Sequence, residues 1–497
     1  MASAHPGDAR PPARPPTAPD DRPRPRPRPR LRLRLRLRLR TDRLRPGRLP
    51  VTGLQLLAWA ATRAVLLLCV LKVLTVPGPD VTSDVSVIYR SWAQVLASGS
   101  FPVGDVTWQY PPGAALAVLS PGLLPFLTYP HAFFALLLAA DAAVLALLVR
   151  AGRRPGRRPA GAWVWIAGVA LLGPTGYARY DLMVTAVAVA ALCAAARRPR
   201  LAGALIACGA LLKVWPVLLL CGAPLRGRRA RALWGGAVVC GAALTLGFAL
   251  AAPGAFAFLT AQRDRGTEVE SLGALVLHVA RHFGLPGEVV LRYGSMEFVG
   301  PLVPQVSAVA TVLTAVALGW LVWWRLRSGL RAAPRPAVWC DAAFTAVLLA
   351  TVTSRVISPQ YLLWPVGLGA VCLTVRASRQ TLPVALVLAA TGLTCWEFPL
   401  WFDRVVASDA PGVAVLLLRN ALLLWAALLA ARRLWRTTVR SAADGEAPAD
   451  GSGGPPAPET APAPGPGPGA AAERPSAPPQ PPGARAPGHS PVRSARA

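Results

Sequence analysis

Carboxylates and cations recur in short polar stretches between long apolar runs, and their types point to a chemistry. Asp84 stands in Ser83-Asp84-Val85-Ser86-Val87-Ile88-Tyr89, with Asp80 just upstream. Trp108-Gln109-Tyr110-Pro111-Pro112-Gly113 follows, offering aromatic rings and a sharp chain reversal. Next come Arg179-Tyr180-Asp181, Lys213 within an apolar run, and Gln262-Arg263-Asp264-Arg265 with Glu268, Glu270 and Ser271. Ser354-Arg355-Val356-Ile357-Ser358-Pro359-Gln360-Tyr361 closes the series. Carboxylates beside several cations suit transfer of a group from a lipid phosphate. Arg holds phosphate oxygens as a fork and Lys as a point charge, while a carboxylate removes the proton of an acceptor hydroxyl. Phosphate already leaves well, so the second carboxyl acid that glycosidases need is not required.

Each residue also has a plainer reading. Asp181 and Arg179 can be a structural ion pair holding a hairpin, and Asp80 rivals Asp84 as the base. Lys213 is one of only two lysines among 53 basic residues. A cation inside an apolar run costs about 2.5–3.5 kcal/mol on insertion scales, so it needs a partner or water; an internal carboxylate would serve. Lys72 is expected to snorkel from the first span to the headgroups. His278 and His282 share a helical face but have no third ligand nearby, so no metal site is expected. Glu397 and Asp403 read as solvated loop charges. With no Asp-x-Asp and no phosphate-cradling Gly-rich loop, nucleotide-sugar chemistry is disfavoured. The eight cysteines form no CxxC pair and read as small buried apolar residues.

The elements that must position these groups follow from composition. The chain has 497 residues, 54% of them hydrophobic, and a net charge of +30. Apolar stretches from about Val51 to Ala431 exceed what a soluble core needs. The fold class expected is all-α, a polytopic membrane bundle with about twelve crossing segments and short interfacial helices in its loops. Six connectors are basic and acid-free: 150–158, 197–200, 226–231, 325–335, 376–379 and 432–440. The other connectors hold Asp80, Asp84, Asp181, Asp264, Glu268, Glu270, Glu397 and Asp403. Lys and Arg loops stay cytoplasmic, so the acidic connectors and the site are expected outside, in a multi-pass plasma-membrane protein with both termini in the cytosol. Keeping that rule requires two irregular segments. Pro111–Leu127 is read as re-entrant or lying at the interface, and Leu201–Gly222 as two half-helices split at Lys213 and Pro216; the competing reading has two full spans there and some positive loops outside. Residues 84–97 have the period of an interfacial helix, with Val87, Ile88, Trp92 and Val95 as its apolar face.

Three domains are expected: a disordered Arg/Pro-rich cytoplasmic tail (1–48), the membrane domain (49–440) and a disordered Pro/Ala/Gly-rich tail (441–497). The first apolar run reads as a signal anchor. The basic N-terminal tail is matched to anionic headgroups and not to nucleic acid.

In these same stretches the chain resembles the GT-C class of polyprenyl-phosphate-sugar-dependent membrane glycosyltransferases. It is most similar to glycosyltransferase family 87, the actinobacterial alpha-mannosyltransferase type. The matching stretches are Ser83-Asp84 through Tyr89, Trp108 through Pro112, Arg179-Tyr180-Asp181, Leu212-Lys213-Val214-Trp215-Pro216, Gln262 through Arg265 with Glu270-Ser271, and Ser358-Pro359-Gln360-Tyr361. The resemblance implies a GT-C-like bundle, a catalytic base in the first outer loop where Asp84 stands, and a polyprenyl-phosphate mannose donor. It also implies an inverting displacement that gives an alpha-linked sugar. Asp80 and Ser354-Arg355 depart from the family pattern.

The expected function is therefore transfer of a hexose, mannose by the resemblance, from a polyprenyl-phosphate donor to a glycolipid or polysaccharide acceptor of the cell envelope. Asp84, with Asp80 as rival, is the expected base. Arg179, Asp181, Lys213, Arg263, Arg265, Arg355, Gln360, Tyr361, Tyr89, Gln109 and Tyr110 are the expected donor-phosphate and substrate contacts. Membrane lipids are expected partners, and no cofactor is implied. The alternative is a transporter or flippase of lipid-linked sugars. Broken helices and intramembrane charge fit that reading, but the charges gather at the outer ends and no internal repeat is visible.

Overall fold

In lipid every backbone N–H and C=O must find a partner within the protein, so apolar runs of this kind become helices. The structure, a computed structural model, describes residues 51–105, 107–261, 265–328 and 336–440. Both expected tails and Gln262-Arg263-Asp264 lie outside the described residues. In chain order the first helices are α1 (Val51–Val70), α2 (Arg90–Ala97), α3 (Ala114–Leu119), α4 (Tyr129–Gly152) and α5 (Ala160–Leu172). Then come α6 (Asp181–Ala194), α7 (Pro199–Leu212), α8 (Arg228–Ala251) and α9 (Ala274–His282). The series closes with α10 (Val303–Arg327), α11 (Pro336–Val352), α12 (Leu363–Thr374), α13 (Thr381–Cys395) and α14 (Ala410–Trp435). Among the described residues six helical segments are long and apolar enough to span a bilayer: α1, α4, α8, α10, α13 continued to Leu400, and α14 continued to Val439. Shorter apolar helices complete the bundle. The chain is a polytopic helical membrane protein.

Two irregular segments shape the end that carries the acidic connectors. Ala114–Leu123 is a short helical piece, only about 15 Å long at 1.5 Å per residue, half of a bilayer core. The 201–222 run breaks at Lys213, whose backbone is extended (φ −157°, ψ 136°). A short 3-10 helix, Trp215–Gly222, then returns beside α7. Pro216 lies in its first turn, where a missing N–H costs nothing. Gly113 lets the Trp108–Gly113 loop press on this break: a Cβ there would stand 2.6 Å from Leu211 O. α7 and α8 pack closely through Gly203 and Gly236, whose absent side chains let each helix touch the other's backbone.

Residues 84–97 are helical, but their buried face differs from the expected one. The first six residues, Asp84–Tyr89, form a wider π-helical turn. Val85, Tyr89, Trp92 and Leu96 face the core while Val87 and Val95 are exposed. Trp92 of the expected face is buried and Ile88 packs partly against the core, so the buried stripe overlaps the expected one and is offset from it towards Val85, Tyr89 and Leu96.

The membrane part is helical, as the all-α expectation has it; the sequence reading placed no strands. A small antiparallel sheet in the acidic-end segment adds them: β1 (Thr267–Glu268), β2 (Glu288–Arg292) and β3 (Ser295–Val299), in the order β1-β3-β2. Tyr293 and Gly294 join β2 to β3 with positive φ at both positions (52° and 77°), the requirement of a two-residue type I′ hairpin.

Two buried charge networks knit the bundle, and each corrects the reading that acids belong to loops. Asp141, within α4, pairs with Arg63 of α1 (Nε–Oδ2 2.7 Å). It also accepts bonds from Trp165 Nε1 (2.6 Å), Tyr177 O–H (2.6 Å) and Trp59 Nε1 (3.1 Å). Glu397, expected to be solvated, is fully buried on Arg419 of α14 (Nε–Oε2 2.9 Å). Arg419 also meets Glu270 Oε1 (3.4 Å) and donates to Glu270 O (3.0 Å). Every acid in these clusters has a cation within reach, which makes burial tolerable.

The described parts of the basic connectors gather at one end. Arg158 donates to Leu373 O (2.8 Å), Arg376 to Arg157 O (3.0 Å), Arg325 to Ala223 O and Arg433 to Arg379 O.

Candidate active site

The acidic end brings together groups from four separate stretches. Asp84, at the start of its helix, meets Arg179 (Oδ2–Nη2 2.9 Å). The other arm of Arg179 donates to Val81 O (3.0 Å) and Ala178 O (2.8 Å), clamping the Asp84 helix to the turn before α6. Asp181, the first residue of α6, instead takes Lys213 (Oδ1–Nζ 2.7 Å) and Trp364 Nε1 (2.7 Å). Arg179 and Asp181 are thus not each other's partners: one stabilises each side of the site. A carboxylate on the first turn of a helix also gains from the positive end of its dipole.

Lys213 sits in an aromatic cage. Its Nζ lies 4.8 Å from the ring centre of Tyr361, 5.2 Å from Trp364, 5.4 Å from Tyr180 and 5.7 Å from Tyr110. Tyr361 stacks on Trp364 at 4.1 Å and Trp215 stacks on its other side at 5.3 Å. The electron-rich faces stabilise the ammonium where water is scarce. Lys213 stands at the helix break, where its extended backbone ends α7.

Tyr110 reports how the charges converge. Its burial pushes the hydroxyl pKa up to about 12; Asp84 and Asp181 push the same way, while Arg179 and Arg265 pull it down. Four charges from three stretches therefore surround one ring.

The third wall is the sheet and the loop after α11. Glu297 of β3 holds Arg265 (Oε1–Nε 3.2 Å) and accepts Gly266 N–H (3.0 Å); Ser295 Oγ accepts from Arg265 Nη2 (2.7 Å). Arg355 Nη1 donates to Arg265 O (2.8 Å). Glu268 accepts Ile357 N–H (2.6 Å) and the Ser358 hydroxyl (2.8 Å), fixing the turn that presents Gln360 and Tyr361. Burial raises the Glu268 pKa, and Arg265 and these two bonds oppose it.

The remaining expected residues divide. Tyr89 lies in the aromatic layer under Asp84, 5.5 Å from Trp92 and 6.1 Å from Tyr180, with its buried hydroxyl unpaired among the described residues. Gln109 is buried beside that layer and Gln360 is half-buried on the short helix that carries Tyr361. Asp80 stands apart from the Arg179–Lys213 group: its carboxylate meets Lys72 Nζ (2.8 Å) and accepts from Thr82 N–H (2.9 Å). Lys72 is thus paired within the protein. Arg263 lies outside the described residues. His278 uses both ring nitrogens, on Ser408 Oγ (2.8 Å) and Val269 O (2.9 Å), and is a structural pin. Among the described residues no three His, Cys, Asp or Glu side chains gather as metal ligands.

Sequence reasoning missed Trp364, Tyr180 as a cage wall, Ser295 and Glu297. Trp364 lies three positions after Tyr361 at a helix start, a spacing that places both on one face. Glu297 gave no local signal, because a long-range hairpin sets its partner.

Accessibility separates the carboxylates. Asp84 keeps 26% of its side chain exposed, whereas Asp181 keeps 1% and Glu297 2%. The fold and site define an integral membrane protein with an acid–cation–aromatic centre at one end of a helical bundle. The model of glycosyltransferase family 87 matches residues 108–359, half of the chain, and the chain belongs to that family. It is a membrane glycosyltransferase, acting between a sugar donor and an acceptor. The match covers the Arg179–Asp181 turn, Lys213, Arg265 and Arg355, and ends at Pro359, so Asp84 and Tyr361 fall beyond its limits. No curated protein matches the chain.

Proposed function

We propose that this enzyme moves a hexose, mannose in the first instance, from a polyprenyl-phosphate donor to a hydroxyl of an envelope glycolipid or polysaccharide, with inversion and with Asp84 as general base. The observation that carries the reading is Asp84 itself, the most accessible carboxylate of the cluster, ion-paired to Arg179 and acting on Tyr110, a wall of the Lys213 cage. In the step, the acceptor oxygen bonds to the anomeric carbon and its proton passes to Asp84. The bond from that carbon to the phosphate oxygen breaks, and its electron pair leaves on polyprenyl phosphate. Lys213, Arg265 and Arg355 are the cations for that phosphate; Lys213 keeps two N–H bonds besides the one to Asp181. The rings of Tyr110 and Tyr361 face the sugar, buried Tyr89 supports them from behind, and Gln109 and Gln360 stand beside them.

The same reading sets the topology. The basic end is cytoplasmic and the site opens on the outer face of the plasma membrane. About twelve segments cross, within a membrane domain of residues 49–440 flanked by cytoplasmic tails. The short Ala114–Leu123 helix and the break at Lys213 support a re-entrant piece and a pair of half-helices.

The test is transfer by purified protein in nanodiscs, given polyprenyl-phosphate mannose, glucose or arabinose and an envelope glycolipid extract. Mannose should enter an alpha-linked product. A sugar entering with retained configuration, or transfer only from a nucleotide sugar, would overturn the proposal.

A further inference from the structure

The basic end holds a cavity of about 140 Å³ that the site chemistry does not use. It lies where α4, α6 and α12 end and α7, α8 and α11 begin, so helix dipoles of both signs meet and offset. The side chains then set its charge. Arg154, Arg157 and Arg229 line it, and among the described residues no Asp or Glu does. Its floor is apolar, formed by Leu233, Trp339 and Val371 among others. Arg154 and Arg157 are half-buried and Arg229 is exposed at the mouth.

Arg154 and Arg157 differ from Arg158 on the same connector and from three arginines of other connectors. Arg158, Arg325, Arg376 and Arg433 each donate to a backbone carbonyl and so tie loops together. The guanidinium groups of Arg154, Arg157 and Arg229 have no carboxylate or carbonyl partner among the described residues. A topology signal needs only exposed positive charge. Half-burying two unpaired cations over an apolar floor has a desolvation cost that such a signal does not require.

We propose that this cavity binds the phosphate of an anionic membrane lipid. The arginine forks take the phosphate oxygens, and the glycerol and upper acyl carbons lie along the apolar floor. The site is separate from the catalytic end: α6 runs from Asp181 there to Leu192 and Cys193 at the cavity, and its 14 residues span about 21 Å. A free phosphate would satisfy the arginines but leave the floor uncovered, so a lipid fits better.

The test uses the purified full chain in detergent, titrated with phosphatidylglycerol, phosphatidylcholine or inorganic phosphate. Bound lipid is counted by native mass spectrometry and unfolding temperature is followed in parallel. Phosphatidylglycerol should bind at one retained molecule per chain and raise the unfolding temperature; phosphatidylcholine and inorganic phosphate should do neither. Arg154→Gln with Arg157→Gln should weaken that binding at least tenfold, whereas Arg197→Gln, exposed on a neighbouring loop and off the lining, should not. Ala196→Trp fills the cavity with every arginine retained, and it too should abolish the retained lipid, which keeps the test valid if the double variant fails to fold. Binding unchanged in Ala196→Trp would overturn the proposal, as would equal loss in Arg197→Gln. Inorganic phosphate giving the same arginine-dependent stabilisation would mark a free-anion site and overturn it equally.

Discussion

Lys213 and Asp181 hold opposite charges 2.7 Å apart with little access to water, so each depends on the other. Removing one partner of a buried pair costs about 3–5 kcal/mol, because the survivor stays charged and unpaired. Lys213→Met should therefore lower the unfolding temperature sharply, and Lys213→Met with Asp181→Asn should recover most of it. Transfer should recover in neither, since the ammonium proposed to meet the donor phosphate is gone in both. Restored transfer in the double variant would reduce Lys213 to a structural counter-ion. The sequence made this pair half legible. A lone lysine in an arginine-using chain announced that a partner was needed, but not that Asp181 would supply it.

At the scale of elements, the β2–β3 hairpin places Glu297 and Ser295 on Arg265. Its turn needs positive φ at Gly294, which a β-branched residue resists. Gly294→Val should shift that wall and raise the donor KM several-fold while changing kcat less, in steady-state assays. A fall in apparent kcat with KM unchanged would place the hairpin's effect on folding. Helix α9 rests on His278, whose burial lowers its pKa to about 4 from the ordinary 6.5. Between those values the unfolded chain binds a proton that the folded chain refuses, so stability falls as pH falls from about 6.5 to 4. The full loss is about 3 kcal/mol at 1.4 kcal/mol per pH unit. Unfolding followed across that range should show it, and His278→Gln should flatten the curve. These strands were not legible, because short alternating runs in a polar segment are ambiguous on their own. The helix break at Lys213 was legible, since lysine and proline interrupt one apolar run together.

At the scale of the whole molecule, charge sorting organises the bundle: basic connectors at one end, the acid–cation–aromatic centre at the other. That division could be read from connector composition alone. The buried pairs Arg63–Asp141 and Arg419–Glu397 could not, because their partners lie 78 and 22 positions apart along the chain. Arg419→Met should destabilise by about 3–5 kcal/mol, since Glu270 and Glu397 would lose their shared cation; hydrogen exchange should then rise in the 355–361 turn, where Arg419 also meets Ile357 O (3.4 Å). Orientation is checked by thiol labelling in a cysteine-free background. Ser98→Cys should react with an impermeant reagent on intact cells, and Arg197→Cys only after permeabilisation. The reverse pattern would turn the protein over and place the site in the cytosol.

Sugar transfer by wild type, Asp84→Asn and Asp80→Asn side by side tests most directly whether Asp84 takes the acceptor proton. Asp84→Asn should fold, still bind donor and lose transfer by about 10²–10⁴-fold, the usual contribution of a general base. Asp80→Asn, which breaks only an exposed pair with Lys72, should keep transfer near wild type. Wild-type transfer by Asp84→Asn would contradict the account and move the base elsewhere.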